Sequence, residues 1–215
     1  MIDLLYNHSS DVYSANGEDG INEYILKHLK LDSGVVLEIG AWDGFFDSNC
    51  ANLWSNGSYN GILIEATSKL NIADLESRYD NINCYRELIS SSNTLEDVID
   101  KCKFDVDEDN FVLASIDVDG DDLNVARSLG KYKPIILIVE PNGDVITRSN
   151  SNGSTIKELI DFGVDFGYDF MGMSGHVGRH SGNVYLIRND YKDKFDICSK
   201  PWQQRGIILS EGLLY

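Results

Sequence analysis

The stretch Val35-Val36-Leu37-Glu38-Ile39-Gly40-Ala41-Trp42-Asp43-Gly44 reads as a buried strand running into a tight turn. A short run of Val, Leu and Ile suits a strand covered on both faces by helices. Working outward, the pattern returns in Gly61-Ile62-Leu63-Ile64-Glu65, a weaker run from Ile82 to Tyr85, Phe111 to Asp117, Ile135 to Glu140, Tyr168 to Met171 and Val184 to Ile187. Between these runs lie Ser48 to Asn56, Ser68 to Arg78, Thr94 to Lys101, Asp122 to Leu129 and Thr155 to Phe166, each of helical length or nearly so. Strands alternating with helices predict a parallel sheet. The last two runs have no helix-length spacer, so they are expected to pair as an antiparallel hairpin. The expectation is an α/β fold, Rossmann-like, with a seven-stranded, mostly parallel sheet, helices on both faces and a C-terminal antiparallel hairpin. Ahead of the first strand, Asn16-Gly17-Glu18-Asp19-Gly20 precedes an apolar pattern at Ile21, Tyr24, Ile25 and Leu29, which reads as one capped helix. A single domain over 1–215 is expected, with an N-terminal helical cap at about 1–33, a core at about 34–190 and a tail at 191–215.

The 215 residues are 42% hydrophobic and 25% charged, a globular composition. Lys and Arg total 18 against 35 Asp and Glu, a formal charge of -17. So acidic a chain lacks the basic field that binds phosphate backbones or anionic membrane surfaces, which excludes nucleic acid as a partner class. No apolar run approaches the ~20 residues that span a bilayer, and Met1-Ile2-Asp3-Leu4-Leu5 lacks the layout of a signal peptide. A soluble, cytoplasmic protein is the expectation. Cys50, Cys84, Cys102 and Cys198 form no C-x-x-C pair, so free thiols are expected rather than a zinc or redox site. Asp105, Asp107 and Asp109 imitate the start of a calcium loop, but Asn110 stands where it needs Gly and Ile116 where it needs Glu, which leaves a solvated turn.

Ligands of open α/β sheets sit beyond the carboxyl ends of the strands. Those ends are acidic here: Glu38 to Asp43 after the first strand, Glu65 after the second, Asp117, Asp119, Asp121 and Asp122 after the fourth, Glu140 after the fifth. The first turn is similar to a dinucleotide fingerprint, but Trp42 stands where a second glycine lets backbone approach a pyrophosphate. Bulk at that place, with Glu38 and Asp43 beside it, disfavours a diphosphate and a nicotinamide-dependent oxidoreductase. A ligand with a ribose and a positive centre, S-adenosylmethionine, fits better, with Glu65 placed to accept from the ribose hydroxyls.

Ser14 to Ile21, Leu37 to Gly44 with Ser48-Asn49, Gly61 to Glu65, Ser115 to Asp122, Ile138 to Asn142 and Gly182 to Arg188 together form a pattern that resembles FkbM-type class I methyltransferases. Cys50 and Ala15 depart from that pattern, where Thr and Gln are expected. The resemblance implies methyl transfer from S-adenosylmethionine, commonly to a hydroxyl of a sugar or polyketide, with Glu38, Gly40, Asp43 and Glu65 around the cofactor. The wider cofactor set takes in Glu18, Asp19, Ala41, Gly44, Ser48, Asn49, Ala66 and Leu88. The expected acceptor is a sugar hydroxyl of a glycan, such as that of a deoxyhexose like rhamnose. The competing class is a non-catalytic scaffold domain of a glycan-building, glycosyltransferase-containing chain.

Asp117, Glu140 and Asn142 offer oxygen ligands from two strand ends, which suits Mg²⁺ or Mn²⁺. The alternative is that Asp121 or Asp122 caps the next helix. Asp117 and Asp119 are the catalytic candidates on the strands. His176 and His180, in the loop between the last two strands, are candidates for base or acceptor contact. The polar stretch Asn142 to Ser154 reads as a functional loop.

Overall fold

The computed structural model describes residues 3–148, 153–175 and 182–206, with the backbone of 208–209 and 212–213. Seven strands form one sheet: β1 (Gly34–Ile39), β2 (Tyr59–Ile64), β3 (Ile82–Tyr85), β4 (Phe111–Ile116), β5 (Ile136–Val139), β6 (Tyr168–Met173) and β7 (Val184–Arg188). Their order is β3-β2-β1-β4-β5-β7-β6. Neighbours from β3 to β5 run parallel, and β7 lies antiparallel between β5 and β6. This is the doubly wound, Rossmann-like sheet that the alternation of runs predicts, hairpin included.

The helices are α1 (Glu18–Leu29), α2 (Ala51–Trp54), α3 (Ile72–Arg78), α4 (Leu95–Ile99), α5 (Asp122–Arg127) and α6 (Ile156–Phe166). Alternation along β1 sends Val36 to one face and Val35, Leu37 and Ile39 to the other. Ile21, Ile25 and Leu29 of α1, Trp54 of α2 and Leu75 of α3 cover the first face. Leu95 and Val98 of α4, Val125 of α5 and Leu159 of α6 cover the second. Each such side chain contributes about 1.5–3 kcal/mol on burial, so the sheet is held by both layers. Capping boxes pair Thr94 with Asp97 at α4 and Thr155 with Glu158 at α6, and Gly167 closes α6 in the left-handed region.

The strand registers decide where the site lies. Ile39 pairs with Ile64 and with Ile116, and Ile116 pairs with Val139, so the carboxyl ends of β2, β1, β4 and β5 finish level. Gly40, Glu65, Asp117 and Glu140 follow directly. The chain runs outward from β1 through β2 to β3 and returns beside β1 as β4, which opens a crevice at this reversal of strand order.

Two elements differ from the sequence expectation. Ser48 to Asn56 holds only the single turn α2, because Ser48 and the Asn49 backbone are drawn into hydrogen bonds with Glu38. Helix α1 has Gly17 at its N-cap with no side-chain cap; its acids fold back onto the preceding loop instead. Asp107 accepts from the Asp109 and Asn110 amides, a plain turn, and the four cysteines are free thiols. Among the described residues, no helix is long and apolar enough to cross a membrane.

Candidate functional site

A cavity of about 530 Å³ opens at the carboxyl ends of β1, β2, β4 and β5. Seven carboxylates line it, those of Asp47, Glu65, Glu87, Asp117, Asp119, Asp121 and Glu140, with no Lys, Arg or His among its described lining residues. Apolar walls come from Ile39, Trp42, Phe46, Ile64, Leu88, Ile89 and Val125. A charged ligand suited to this cavity is therefore a cation.

At the β1–β2 end the chain turns sharply. Gly40 has φ 81°, and a Cβ there would lie 1.7 Å from the Asp117 carbonyl oxygen, so only glycine lets β1 finish against the end of β4. The Gly40 and Ala41 amides both donate to the Ile64 carbonyl, at 3.0 and 3.1 Å. Trp42 follows at φ 49°, and its amide donates to Glu65 Oε2 at 3.0 Å. The Thr67 amide donates to Glu65 Oε1 at 2.6 Å. Two of the carboxylate's roughly four acceptor directions are thereby used, which fixes its orientation and leaves capacity for ligand hydroxyls. Asp43 accepts from the Phe45 and Phe46 amides, at 2.9 and 2.8 Å, and holds the next turn. Glu38 is buried behind this loop, bonded by the Ser48 hydroxyl and by the Asn49 amide at 2.6 Å. Burial pushes its carboxyl up to about 7 against the pull of those bonds.

At the β4–β5 end, oxygen atoms of Asp117, Asp122 and Glu140 lie within 4.8 Å of one another. Burial raises all three carboxyls above their ordinary range; repulsion within the cluster adds to this at Asp117 and Glu140, and repulsion from Asp119 at all three, while Asp117 and Glu140 share a hydrogen bond. The Val118 and Gly120 amides donate to Asp122, at 2.7 and 3.0 Å, and these bonds wrap the loop around it. Asp119 stands on that loop at φ 57° and lines the cavity.

The structure sorts the residues singled out by sequence. Gly40, Glu65, Ala66, Leu88, Asp117, Asp119 and Glu140 line the cavity together. Glu38, Ala41, Asp43, Gly44, Ser48 and Asn49 belong to the same turn and its support but are not among its lining residues. Glu18 and Asp19 are not among the lining residues, and the fold uses both as anchors. Buried Glu18 accepts from Ser174 Oγ at 2.6 Å and Asn183 Nδ2 at 2.9 Å, tying α1 to the β6–β7 hairpin. Asp19 Oδ2 gathers the amides of Val12, Tyr13 and Ser14 within 2.9 Å. Asp122 joins Asp117 and Glu140 in the cluster of carboxylate oxygens, and Asn142 stands beside it, its Nδ2 donating to Glu140 at 2.7 Å. The expected cap is also revised: Asp121 occupies the N-cap of α5, but its carboxylate accepts from the Asn124 side chain at 2.7 Å rather than from a helix amide, and Asp122 turns inward. His176 and His180 lie outside the described residues, as do residues 149–152 of the polar loop.

Sequence reasoning passed over Asp122, Glu87, Phe46 and Thr67 as site residues. A signal existed for Asp122, a carboxylate just after the Gly120 turn, and for Glu87, polar residue following the β3 run. Phe46 and Thr67 reach the cavity only through loop geometry.

No family model matches the chain, and no curated protein matches it. Among solved structures it is similar to a precorrin-6y C5,15-methyltransferase from Geobacter metallireducens GS-15, at 17% identity over 83% of this chain and 90% of that one, with a TM-score of 0.42. A SAM-dependent methyltransferase from Aquifex aeolicus gives 14% identity over 77% and 88% of the two chains, TM-score 0.44. An N,N-8-amino-8-demethyl-D-riboflavin dimethyltransferase from Streptomyces davawensis gives 14% over 79% and 55%, TM-score 0.44. At this distance the likenesses carry nothing about chemistry, and the reading below rests on the site.

Proposed function

We propose that the chain transfers a methyl group from S-adenosylmethionine to a hydroxyl of a neutral sugar in a glycan. The observation that carries this reading is the Glu65 carboxylate, held at the cavity by the Trp42 and Thr67 amides with acceptor capacity left for a ribose diol. The acidic lining supports it, since S-adenosylmethionine carries a sulfonium and an ammonium, whereas the pyrophosphate of a dinucleotide would meet seven carboxylates.

S-adenosylmethionine supplies a methyl group already activated on sulfur. The chain's residues must then align the acceptor and take its proton. With no cation in the cluster, Asp117 and Glu140, raised toward neutrality by burial and by neighbouring carboxylates, suit a base working near neutral pH. A hard divalent cation fits the all-oxygen cluster of Asp117, Asp122 and Glu140, and Mg²⁺ or Mn²⁺ bound there would lower the pKa of an acceptor hydroxyl. A neutral polyol enters this cavity without the repulsion that a phosphorylated acceptor meets.

The test is calorimetry with S-adenosylhomocysteine and NAD, followed by radiolabelled methyl transfer to a panel of neutral glycosides, phenols, RNA and protein, with and without chelator. Binding of S-adenosylhomocysteine alone and labelling of glycosides are expected, with chelation suppressing transfer and Mg²⁺ or Mn²⁺ restoring it. Binding of NAD in preference, or labelling of RNA or protein, would overturn the reading.

A further inference from the structure

Trp42 stands in a place that a glycine would fill more easily. Its φ of 49° lies in the left-handed region, unfavourable for a bulky L residue. The residue is also left 42% exposed, while Trp54 is fully buried. Such an outlier at a cavity points toward function.

The exposure follows a pattern. Of six large hydrophobic side chains exposed among the described residues, three line the cavity: Trp42, Phe46 at 64% and Leu88 at 72%. Such an apolar lip, added to the apolar walls and the carboxylates, calls for a ligand with a flat, weakly polar part. The hydrogen bond from the Trp42 amide to Glu65 fixes the scale, placing the residue beside the carboxylate that takes the ribose in the proposed function. The base of a nucleoside is joined to that same ribose. The Lys69 ammonium lies 4.7 Å from the indole centroid and steadies the ring.

We infer that Trp42 determines specificity for the donor's nucleoside base, stacking its indole on that base while Phe46 and Leu88 complete the apolar lip. This rests on the donor reading above, and it adds a reason why the turn carries an aromatic residue where its backbone favours glycine.

The experiment compares wild type, Trp42→Gly and Trp42→Phe by calorimetry with S-adenosylhomocysteine, with melting temperature and tryptophan emission recorded on the same samples. Glycine removes the ring and accepts the left-handed backbone freely, so the fold is expected to survive. Loss of base stacking should raise the dissociation constant of Trp42→Gly about tenfold or more, with Trp42→Phe restoring most of the affinity. Wild-type emission should change on saturation, and Trp42→Phe should lose that change while still binding. Equal affinity in wild type and Trp42→Gly overturns the inference and leaves the donor reading standing. So does a Trp42→Phe chain as weak as Trp42→Gly. Wild type that fails to bind S-adenosylhomocysteine overturns the donor reading, and this inference with it.

Discussion

At the end of β2 a single carboxylate is held by backbone N–H groups; at the ends of β4 and β5 three carboxylates crowd one another. Glu65 takes the Trp42 and Thr67 amides, while Asp117, Asp122 and Glu140 crowd within 4.8 Å and are pushed up by burial and repulsion. Both regions put acids at strand termini of one sheet, so residue type and position alone do not separate them. The crowding of like charge does. Glu65 is oriented by two amides and suited to binding; the β4–β5 cluster, although Asp122 also takes two amides and Glu140 the Asn142 side chain, gathers three carboxylates and is suited to holding a proton or a cation.

The hardest test of this contrast removes charge from the β4–β5 end. Asp117→Asn and Glu140→Gln are each expected to lower methyl transfer by about 10²–10⁴-fold, the range for a lost general base, with S-adenosylhomocysteine affinity unchanged. Single-turnover rates and calorimetry on the same variants measure both quantities, and a fall in affinity matching the fall in rate would erase the division between the ends. Gly40 joins the two regions, because its missing Cβ is what lets the β1 turn close on the Asp117 carbonyl. Gly40→Ala adds a backbone clash to a left-handed φ, so a loss of roughly 3 kcal/mol or more is expected in urea unfolding.

Glu65→Ala sharpens the contrast from the binding side. Donor affinity should weaken by roughly 1.5–3 kcal/mol, as for a hydrogen bond to a charged group, with the transfer rate at saturation much less affected. Calorimetry against saturated turnover separates the two, and a collapse of the saturated rate would place Glu65 in the chemistry. The smallest effect concerns Glu38, whose carboxyl rises from 4.5 to about 7 in the fold. A carboxyl raised on folding favours the native state while protonated, so its contribution is present below about 4.5 and is lost as pH climbs through about 7. Wild-type melting temperature should therefore decline between these limits, and Glu38→Gln should flatten the slope. An identical slope in both chains would assign the decline to Glu18 and the β4–β5 cluster, which are raised in the same direction.

Legibility differed from element to element for physical reasons. Val35 to Ile39, apart from Glu38, and Ile136 to Val139 announce themselves because a strand buried on both faces is almost continuously apolar. Glu65, Asp117 and Glu140 were legible as site residues because a carboxylate directly after such a run has no packing role. Asp19 and Glu18 were less legible, since an acid at a helix start serves equally as ligand contact or as anchor for nearby amides. Asp122 was hidden by the same ambiguity, an acid at the first turn of α5 that faces inward.

The sequence by itself determined the strands, the doubly wound sheet, the terminal hairpin and the acidic character of the site, because periodicity and charge are carried along the chain. Tertiary structure alone decided which acids meet. The strand registers bring Asp117 and Glu140 level, and loop closure then turns Asp122 toward them and holds Glu65 beside Trp42. Those distances depend on residues far apart in the chain and on which backbone amides are left to donate, and neither is written in local pattern.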